Sequence, residues 1–222
     1  MVEVTVMAKR VGKPPSEQPP EGVVKVRPIR KMHVTLRIKG TSQLIQHQWS
    51  EKAKAMMRSK HAGKKTKDRE VRDPQREGEE AAYRTQDGKY GIPMAALKLA
   101  ILSASHKDIG FEKTLVRKAV FILCKDANLV LEMECEEPTI KEDPVRVGQG
   151  SADLRYRPYF APGWTLEVTF EIDAELVSTS DLVNLLDRAG FGVGIGEWRP
   201  EKNGDNGRFQ VDSSFPIQER AA

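Results

Sequence analysis

A glycine-rich segment near the end of the chain is the part of the sequence best suited to hold a ligand. Six glycines fall within residues 190–207, and glycine lets the backbone turn its N–H groups toward one anion or approach a bulky ligand closely. Arginine can pair with phosphate, and tryptophan can stack on a base. We therefore predict a ligand contact here, in preference to a long turn alone, through Gly194, Gly196, Trp198, Arg199 and Arg208.

Two familiar glycine-rich motifs do not fit this segment. The dinucleotide-binding fingerprint lies between a strand and the start of a helix, whereas this segment leaves a predicted helix and enters a predicted strand. A P-loop ends in Gly-Lys-Ser/Thr, and no such ending follows these glycines. The pattern therefore favours neither a dinucleotide nor a nucleoside triphosphate.

A second candidate contact lies in residues 143–157. Arg155 and Arg157 share one face of a predicted strand, and Tyr156 lies on the other face. Arginines at this spacing can clamp successive phosphates, and Arg146 would join them. A solvated strand face beside an ordinary turn is an equal alternative.

The charge of the chain is concentrated in two segments. The formal net charge is only +4, but residues 8–31 carry +5 and residues 52–76 carry +7, which leaves −8 for the rest. Flexible basic arms bind phosphate backbones through counterion release, without reading sequence. The second segment predicts a nucleic-acid clamp formed by Lys60, Lys64, Lys65, Lys67 and Arg69.

Catalytic and metal-binding patterns are weak in this sequence. The carboxylates are scattered, and the two cysteines do not combine with histidines at zinc-ligand spacing. For each histidine the non-catalytic interpretation is favoured: His33, His47, His61 and His106. We predict no enzyme, no metal and no cofactor. No apolar window is long enough for a transmembrane helix or a signal peptide, which predicts a cytoplasmic protein with no membrane partner.

The candidate residues must be positioned by a single α+β domain. We predict an extended basic arm at 1–31, a domain at 32–216 with a mobile basic insertion at about 59–80, and a tail at 217–222. Hydrophobic periodicity and turn signals predict the following strands: 33–39, 116–123, 128–134, 154–160, 165–173 and 207–215. The strands 154–160 and 165–173 look like a hairpin turned at 161–163.

Helices are predicted to begin at Ser50, at Pro93 and at Ser180 or Asp181, and the helix after Pro93 is apolar on nearly every side. With the insertion set aside, the order is strand, helix, strands, helix, strand. That order matches a ferredoxin-like (RAMP/RRM-like) antiparallel sheet with helices on one face.

Three motifs carry a resemblance to a known family. HQWSEKA at 47–53, VRVGQGSADLRYR at 145–157 and GIGEWRPEK at 194–202 resemble a family of uncharacterised proteins from tailed phages and prophages. The resemblance implies a phage protein made in the cytoplasm of a bacterial host. More distantly, the chain is similar to the RAMP proteins of CRISPR effector complexes. That similarity implies an RNA path lined by Gly194, Gly196, Arg199 and Arg208, with the basic insertion as a thumb or clamp.

We therefore predict a phage-encoded, non-enzymatic protein that binds single-stranded RNA or DNA, with RNA favoured, as a homo-oligomer along the strand. Two alternatives remain open. One is an interaction or virion-assembly protein that oligomerises through its arm and insertion. The other is a metal-independent, RAMP-like ribonuclease.

Overall fold

Strand β1 (Lys31–Gly40) is the centre of the main sheet. Apolar and polar residues alternate along it, as predicted, and Val34, Leu36 and Ile38 are fully buried on one face. Along almost its whole length β1 pairs antiparallel with β8 (Thr165–Asp173). The helices pack on the buried face of this pair of strands.

The computed structural model describes residues 28–49, 51–63, 72–147 and 151–222. Besides β1 and β8, the strands are β2 (Leu44–Ile45), β3 (Gly91–Pro93), β4 (Val120–Leu123), β5 (Val130–Glu132), β6 (Thr139–Val147), β7 (Ser151–Phe160), β9 (Phe209–Val211) and β10 (Gln218–Ala221). The helices are α1 (Glu51–His61), α2 (Pro74–Glu80), α3 (Met94–Ala104), α4 (Lys113–Ala119) and α5 (Thr179–Arg188).

The main sheet has the strand order β10-β1-β8-β4, and β9 also pairs with β1. All these pairings are antiparallel. Strands β10 and β9 share one edge of β1, because β10 lies along its first half and β9 along its end. The class is α+β, as predicted, and the order is consistent with a ferredoxin-like plan.

Helices α3 and α5 cover the buried face of the main sheet. Leu97 and Ile101 of α3 and Leu182 and Leu185 of α5 join the same core as the sheet residues. The prediction that α3 is buried on nearly every side is wrong, because Leu99 is 62% exposed. One side of α3 packs on the sheet, and the opposite side faces solvent.

Some strand predictions are also wrong. Residues 116–119 belong to α4 and not to a strand, because Val116 and Ala119 are buried one helical turn apart. The predicted hairpin of 154–160 with 165–173 does not form. Strand β7 pairs with β6 and β2, whereas β8 pairs with β1 and β4, so the turn at 161–163 joins two different sheets.

Part of the predicted basic insertion is a packed helix. Residues 64–71 of the insertion and residues 1–27 of the predicted arm lie outside the described residues. Helix α2 begins with Asp73 as its cap and Pro74 in its first turn. A Cβ on Gly78 would lie 2.3 Å from Cγ2 of Ile140 in β6. This polar helix packs closely because it presents a glycine to the β6–β7 hairpin.

The face of the main sheet opposite α3 and α5 is a network of polar contacts. His33 Nε2 lies 3.4 Å from a Glu171 carboxylate oxygen, and the hydroxyls of Thr35 and Thr169 are 2.9 Å apart. Hydrogen bonds from Lys31 and His33 lower the pKa of Glu171. Strands β1 and β8 present no Phe, Tyr or Trp on this face, and the imidazole of His33 is engaged with Glu171, so the two strands lack the exposed aromatic side chains with which RRM sheets hold bases.

The end of β1 gives a direct test of core packing. A Cβ on Gly40 would lie 2.1 Å from the indole of Trp164, which is 1% exposed. We expect Gly40→Ala to lower the free energy of unfolding by about 1–3 kcal/mol through overpacking, measured by urea denaturation. Gly192→Ala is the matched control, since no atom lies within 4 Å of its Cβ position. Equal stability of the two variants would contradict the packing described here.

Candidate functional site

The glycine-rich loop is docked against the segment that follows β1. Helix α5 continues into one π-helical turn at Ala189–Val193, and the chain then turns back. The Glu197 amide donates to Ile45 O at 2.9 Å, and the Gly207 amide donates to Gln43 O at 2.7 Å. The two ends of the loop are thereby held beside β2 and the end of β7.

Glycine is required in this loop for close backbone packing. Gly196 has a φ of +78°, and a Cβ there would lie 2.4 Å from Ile45 O. A Cβ on Gly204 would lie 1.8 Å from Trp198 O. Because these glycines have no side chain, the backbone at each of them can pack directly against the backbone of another segment.

Several loop amides are used within the protein. The Gly194 amide donates to Ala189 O at 2.8 Å, and the Gly204 amide donates to Arg199 O at 3.1 Å. Gly194 is buried as well. The anion-binding role predicted for the loop backbone does not apply to these amides.

The predicted arginines lie on two different faces of the β6–β7 hairpin. Arg155 is opposite Asp143 in the register, and Arg157 is opposite Lys141, so these side chains share one face, as predicted. Arg146 is opposite Ala152, an odd number of residues away, and it lies on the other face. The predicted contact of all three arginines with one ligand is therefore wrong in geometry.

Helix α2 packs on part of the hairpin face that carries Arg146, at Ile140, and leaves Arg146 itself exposed. The Arg72 guanidinium lies 5.3 Å from the ring centroid of Tyr156 and donates to Leu154 O at 2.8 Å. Arg72 also forms an ion pair with Glu77 at 2.6 Å. The face that carries Arg155 is turned toward the glycine-rich loop instead.

Arg157 is buried beneath the loop. It is 1% exposed, and its Nη1 lies 3.6 Å from Oδ2 of Asp143. The Tyr159 hydroxyl donates to the other oxygen of Asp143 at 2.6 Å, and burial together with this hydrogen bond raises the pKa of Tyr159. The Arg157 guanidinium lies 5.3 Å from the ring centroid of Trp198. Arg157 therefore supports the Trp198 ring and does not offer a surface clamp for phosphate.

Trp198 is presented to solvent by a constrained turn. It is 42% exposed and has a φ of +50°, which is uncommon for a bulky residue. Trp198 O accepts a hydrogen bond from the Asn206 amide at 3.1 Å. The neighbouring Arg199 is held by Glu201, at 2.7 and 3.2 Å, and by Gly196 O at 3.1 Å. Arg199 therefore offers less free charge than the sequence suggests.

His47 lies at the edge of this arrangement. Burial and then the charges of Arg155 and Arg157 lower the pKa of His47, whereas Glu197 raises it. Burial and Glu197 also raise the pKa of Tyr83. The segment after β2, the hairpin and the loop thus meet at one polar junction, which we call the loop–hairpin junction: His47, Tyr83, Arg155, Arg157, Glu197 and Trp198.

Arg208 supports a second aromatic ring on the same loop. Its guanidinium lies 5.1 Å from the ring centroid of Phe191, and Phe191 is 72% exposed. The sequence-based prediction omitted Phe191 and favoured a non-catalytic His47. The signal for Phe191 was an aromatic residue between Gly190 and Gly192, where no core position is expected.

The predicted clamp residues are mostly outside the described part of the chain. Lys64, Lys65, Lys67 and Arg69 fall within 64–71. Lys60 belongs to α1, and only its backbone is described. Helix α1 also carries two exposed methionines, Met56 and Met57. The clamp stays a prediction from charge.

The described residues contain neither a metal-binding cluster nor a membrane-spanning helix. Across 28–49, 51–63, 72–147 and 151–222, no three His, Cys, Asp or Glu side chains are grouped so that they could hold a metal ion. In the same ranges, no helix combines the length and apolar character needed to cross a membrane.

Comparison with known proteins gives a weak likeness to a solved structure. No family model and no curated protein matches the chain. Among solved structures, the chain is similar to Csc2 of Thermofilum pendens, with 10% sequence identity and a TM-score of 0.30, over 86% of this chain and 67% of that one. A likeness at that TM-score does not carry a function across. The resemblance to phage proteins stays a prediction.

The loop–hairpin junction predicts opposite pKa changes in two variants. We expect Arg155→Met to raise the pKa of His47, because a repelling charge is removed, and Glu197→Gln to lower it. NMR titration of the imidazole signals would measure both. Arg146→Met, on the other face of the hairpin, is the control and should change nothing. An unchanged pKa of His47 in Arg155→Met would contradict the proximity of these two side chains.

His47 also predicts how stability depends on pH. Its folded-state pKa lies below the ordinary value of about 6.5. The folded protein therefore binds fewer protons than the unfolded chain as the pH falls through that value, and stability is lost on acidification. Urea denaturation between pH 7.5 and pH 5 should show a smaller loss in His47→Gln than in the unchanged protein.

Proposed function

We propose that this chain is a nucleic-acid-binding protein without catalytic activity. Its partner is a single strand, RNA in preference to DNA. The observation that carries the proposal is the exposed Trp198 ring, backed by the buried guanidinium of Arg157 and flanked by half-buried Arg155. Aromatic rings set among cations are the surface on which proteins hold unpaired bases and their phosphates.

The charge distribution supports the same partner. The segment 52–76 carries a net charge of +7. Helix α1 overlaps this segment and begins shortly after His47 of the loop–hairpin junction. Phosphate contacts made by this segment would add affinity that falls with salt and is independent of base sequence. The predicted clamp at Lys60, Lys64, Lys65, Lys67 and Arg69 belongs to this part of the proposal.

The finer classification is also proposed. The sheet order β9-β1-β8-β4, with α3 between β1 and β4 and α5 between β8 and β9, supports a ferredoxin-like fold of the RAMP kind. Assembly of several copies along one strand rests on the more distant similarity to RAMP proteins. An origin in a phage, acting in the cytoplasm of its host, rests on the resemblance of the three sequence motifs.

Two arginines of one hairpin provide a matched test of the binding surface. We expect Arg155→Met to weaken binding of a single-stranded oligonucleotide and to reduce the slope of log K against log salt by about 1. Arg146→Met removes the same charge from the opposite face and should leave both quantities nearly unchanged. Fluorescence anisotropy at several salt concentrations measures them. Equal losses in the two variants would contradict a contact on the loop side.

A metal-independent ribonuclease is the second candidate. His47 lies close to Arg155 and Arg157, and its Nδ1 is buried without a hydrogen-bond partner. The charge of Glu197 acts to raise the pKa of both His47 and Tyr83. The two side chains are therefore candidates for a general acid–base pair at the loop–hairpin junction.

Labelled RNA incubated with the protein in excess chelator separates the two candidates. The proposed function predicts that the RNA is bound and stays intact. Cleavage that is lost in His47→Gln while binding persists would establish the ribonuclease and would refute the non-enzymatic proposal.

A further inference from the structure

Two aromatic rings of the glycine-rich loop are arranged in the same way. Trp198 lies over the guanidinium of Arg157 at 5.3 Å, and Phe191 lies over that of Arg208 at 5.1 Å. Both rings are exposed to solvent, by 42% for Trp198 and 72% for Phe191. Aromatic rings exposed beside cations are the surface on which proteins stack unpaired bases.

The two arginines share a second property. The Nε of Arg157 and the Nε of Arg208 are both buried without a hydrogen-bond partner. Buried polar groups in folded proteins are nearly always paired, so two unpaired guanidinium nitrogens beneath two exposed rings call for a reason. A cation held against one face of a ring attracts the negative π-face and orients the ring. The solvent-exposed part of each ring remains available to a ligand.

We propose that Trp198 and Phe191 are two stacking platforms for unpaired bases, and that Arg157 and Arg208 are the positioning residues that hold the rings in place. This inference rests on the proposed function and specifies its ligand. The protein binds the bases of the strand as well as its phosphates. Bases in a duplex are stacked on one another and present no free face, so the platforms select single strands.

The platforms give the binding a component that salt does not screen. Base stacking on an aromatic ring is tolerant of sequence, because every base has a π-face. Phosphate pairing by Arg155 and the basic segment weakens as salt rises. The contribution of the rings should therefore persist at a salt concentration where most of the phosphate contribution has disappeared.

The test compares two labelled strands with the same phosphates: an oligo-uridine of about 20 nucleotides and an abasic strand of equal length. We expect the uridine strand to bind about a hundredfold more tightly, about tenfold for each of the two rings. Trp198→Ala and Phe191→Ala should each weaken uridine binding by about tenfold and should change abasic binding little. A duplex of the same length should resemble the abasic strand.

Matched variants separate stacking from folding. Trp198→Phe keeps a ring over Arg157 and should retain most of the uridine affinity. Phe121 of β4 is also an exposed ring beside a cation, with Lys98 Nζ 5.4 Å from its centroid, but it lies on the main sheet and not on the loop. Phe121→Ala should therefore leave the affinity for both strands unchanged. Uridine binding should also quench tryptophan fluorescence, and the quenching should be lost in Trp198→Phe although Trp49 and Trp164 remain.

The outcomes distinguish this inference from the proposed function. Equal affinity for the uridine and abasic strands would overturn the platforms and leave a nucleic-acid-binding protein that holds phosphates only. Uridine affinity that is unchanged in both alanine variants would overturn them as well. Failure to bind either strand would refute the proposed function and the platforms together.

Discussion

Backbone hydrogen bonds between the glycine-rich loop and the segment after β1 hold the candidate site together. Glu197 donates to Ile45 O, and Gly207 donates to Gln43 O. The two backbone segments approach so closely that a side chain at Gly196 would collide with Ile45 O. Because this contact places the turn of Trp198 over the β6–β7 hairpin, the ring meets Arg157. Arg155, His47 and Glu197 are brought together as a consequence.

A buried ion pair under the loop completes the positioning. Burying Arg157 costs desolvation energy, and Asp143 compensates for only part of it at 3.6 Å, with Tyr159 fixing the carboxylate. Such a group adds little stability in itself, but removing Asp143 alone would leave an uncompensated buried charge. The arrangement explains how a flexible-looking, glycine-rich segment presents an aromatic ring in one orientation, which is what recognition of a flat base requires.

The main sheet and the smaller β2-β7-β6 sheet have different roles in this protein. The main sheet supplies the core, and its open face is already occupied by polar contacts such as that between Thr35 and Thr169. The smaller sheet of β2, β7 and β6 carries the arginine-bearing hairpin and adjoins the loop. Helix α2 covers the far face of that hairpin around Ile140, where Gly78 packs. The other face of the hairpin, which carries Arg155 and Arg157, is turned toward the loop.

Local pattern determined much of this protein. The alternation along β1 and β8, the capping box of α5 at Ser178 and the run of glycines after it follow from nearest-neighbour physics, so the α+β class and the candidate loop were predictable. Tertiary structure decided the rest. A run such as 116–119 fits either a helix or a strand until packing selects one, and the turn at 161–163 does not reveal that it joins two sheets. Above all, the positions of Arg146 and Arg155 on opposite faces, and of Arg157 beneath Trp198, depend on register and burial. The register depends on where the hairpin turns, and the burial of Arg157 depends on a loop far along the chain, so the local pattern encodes neither.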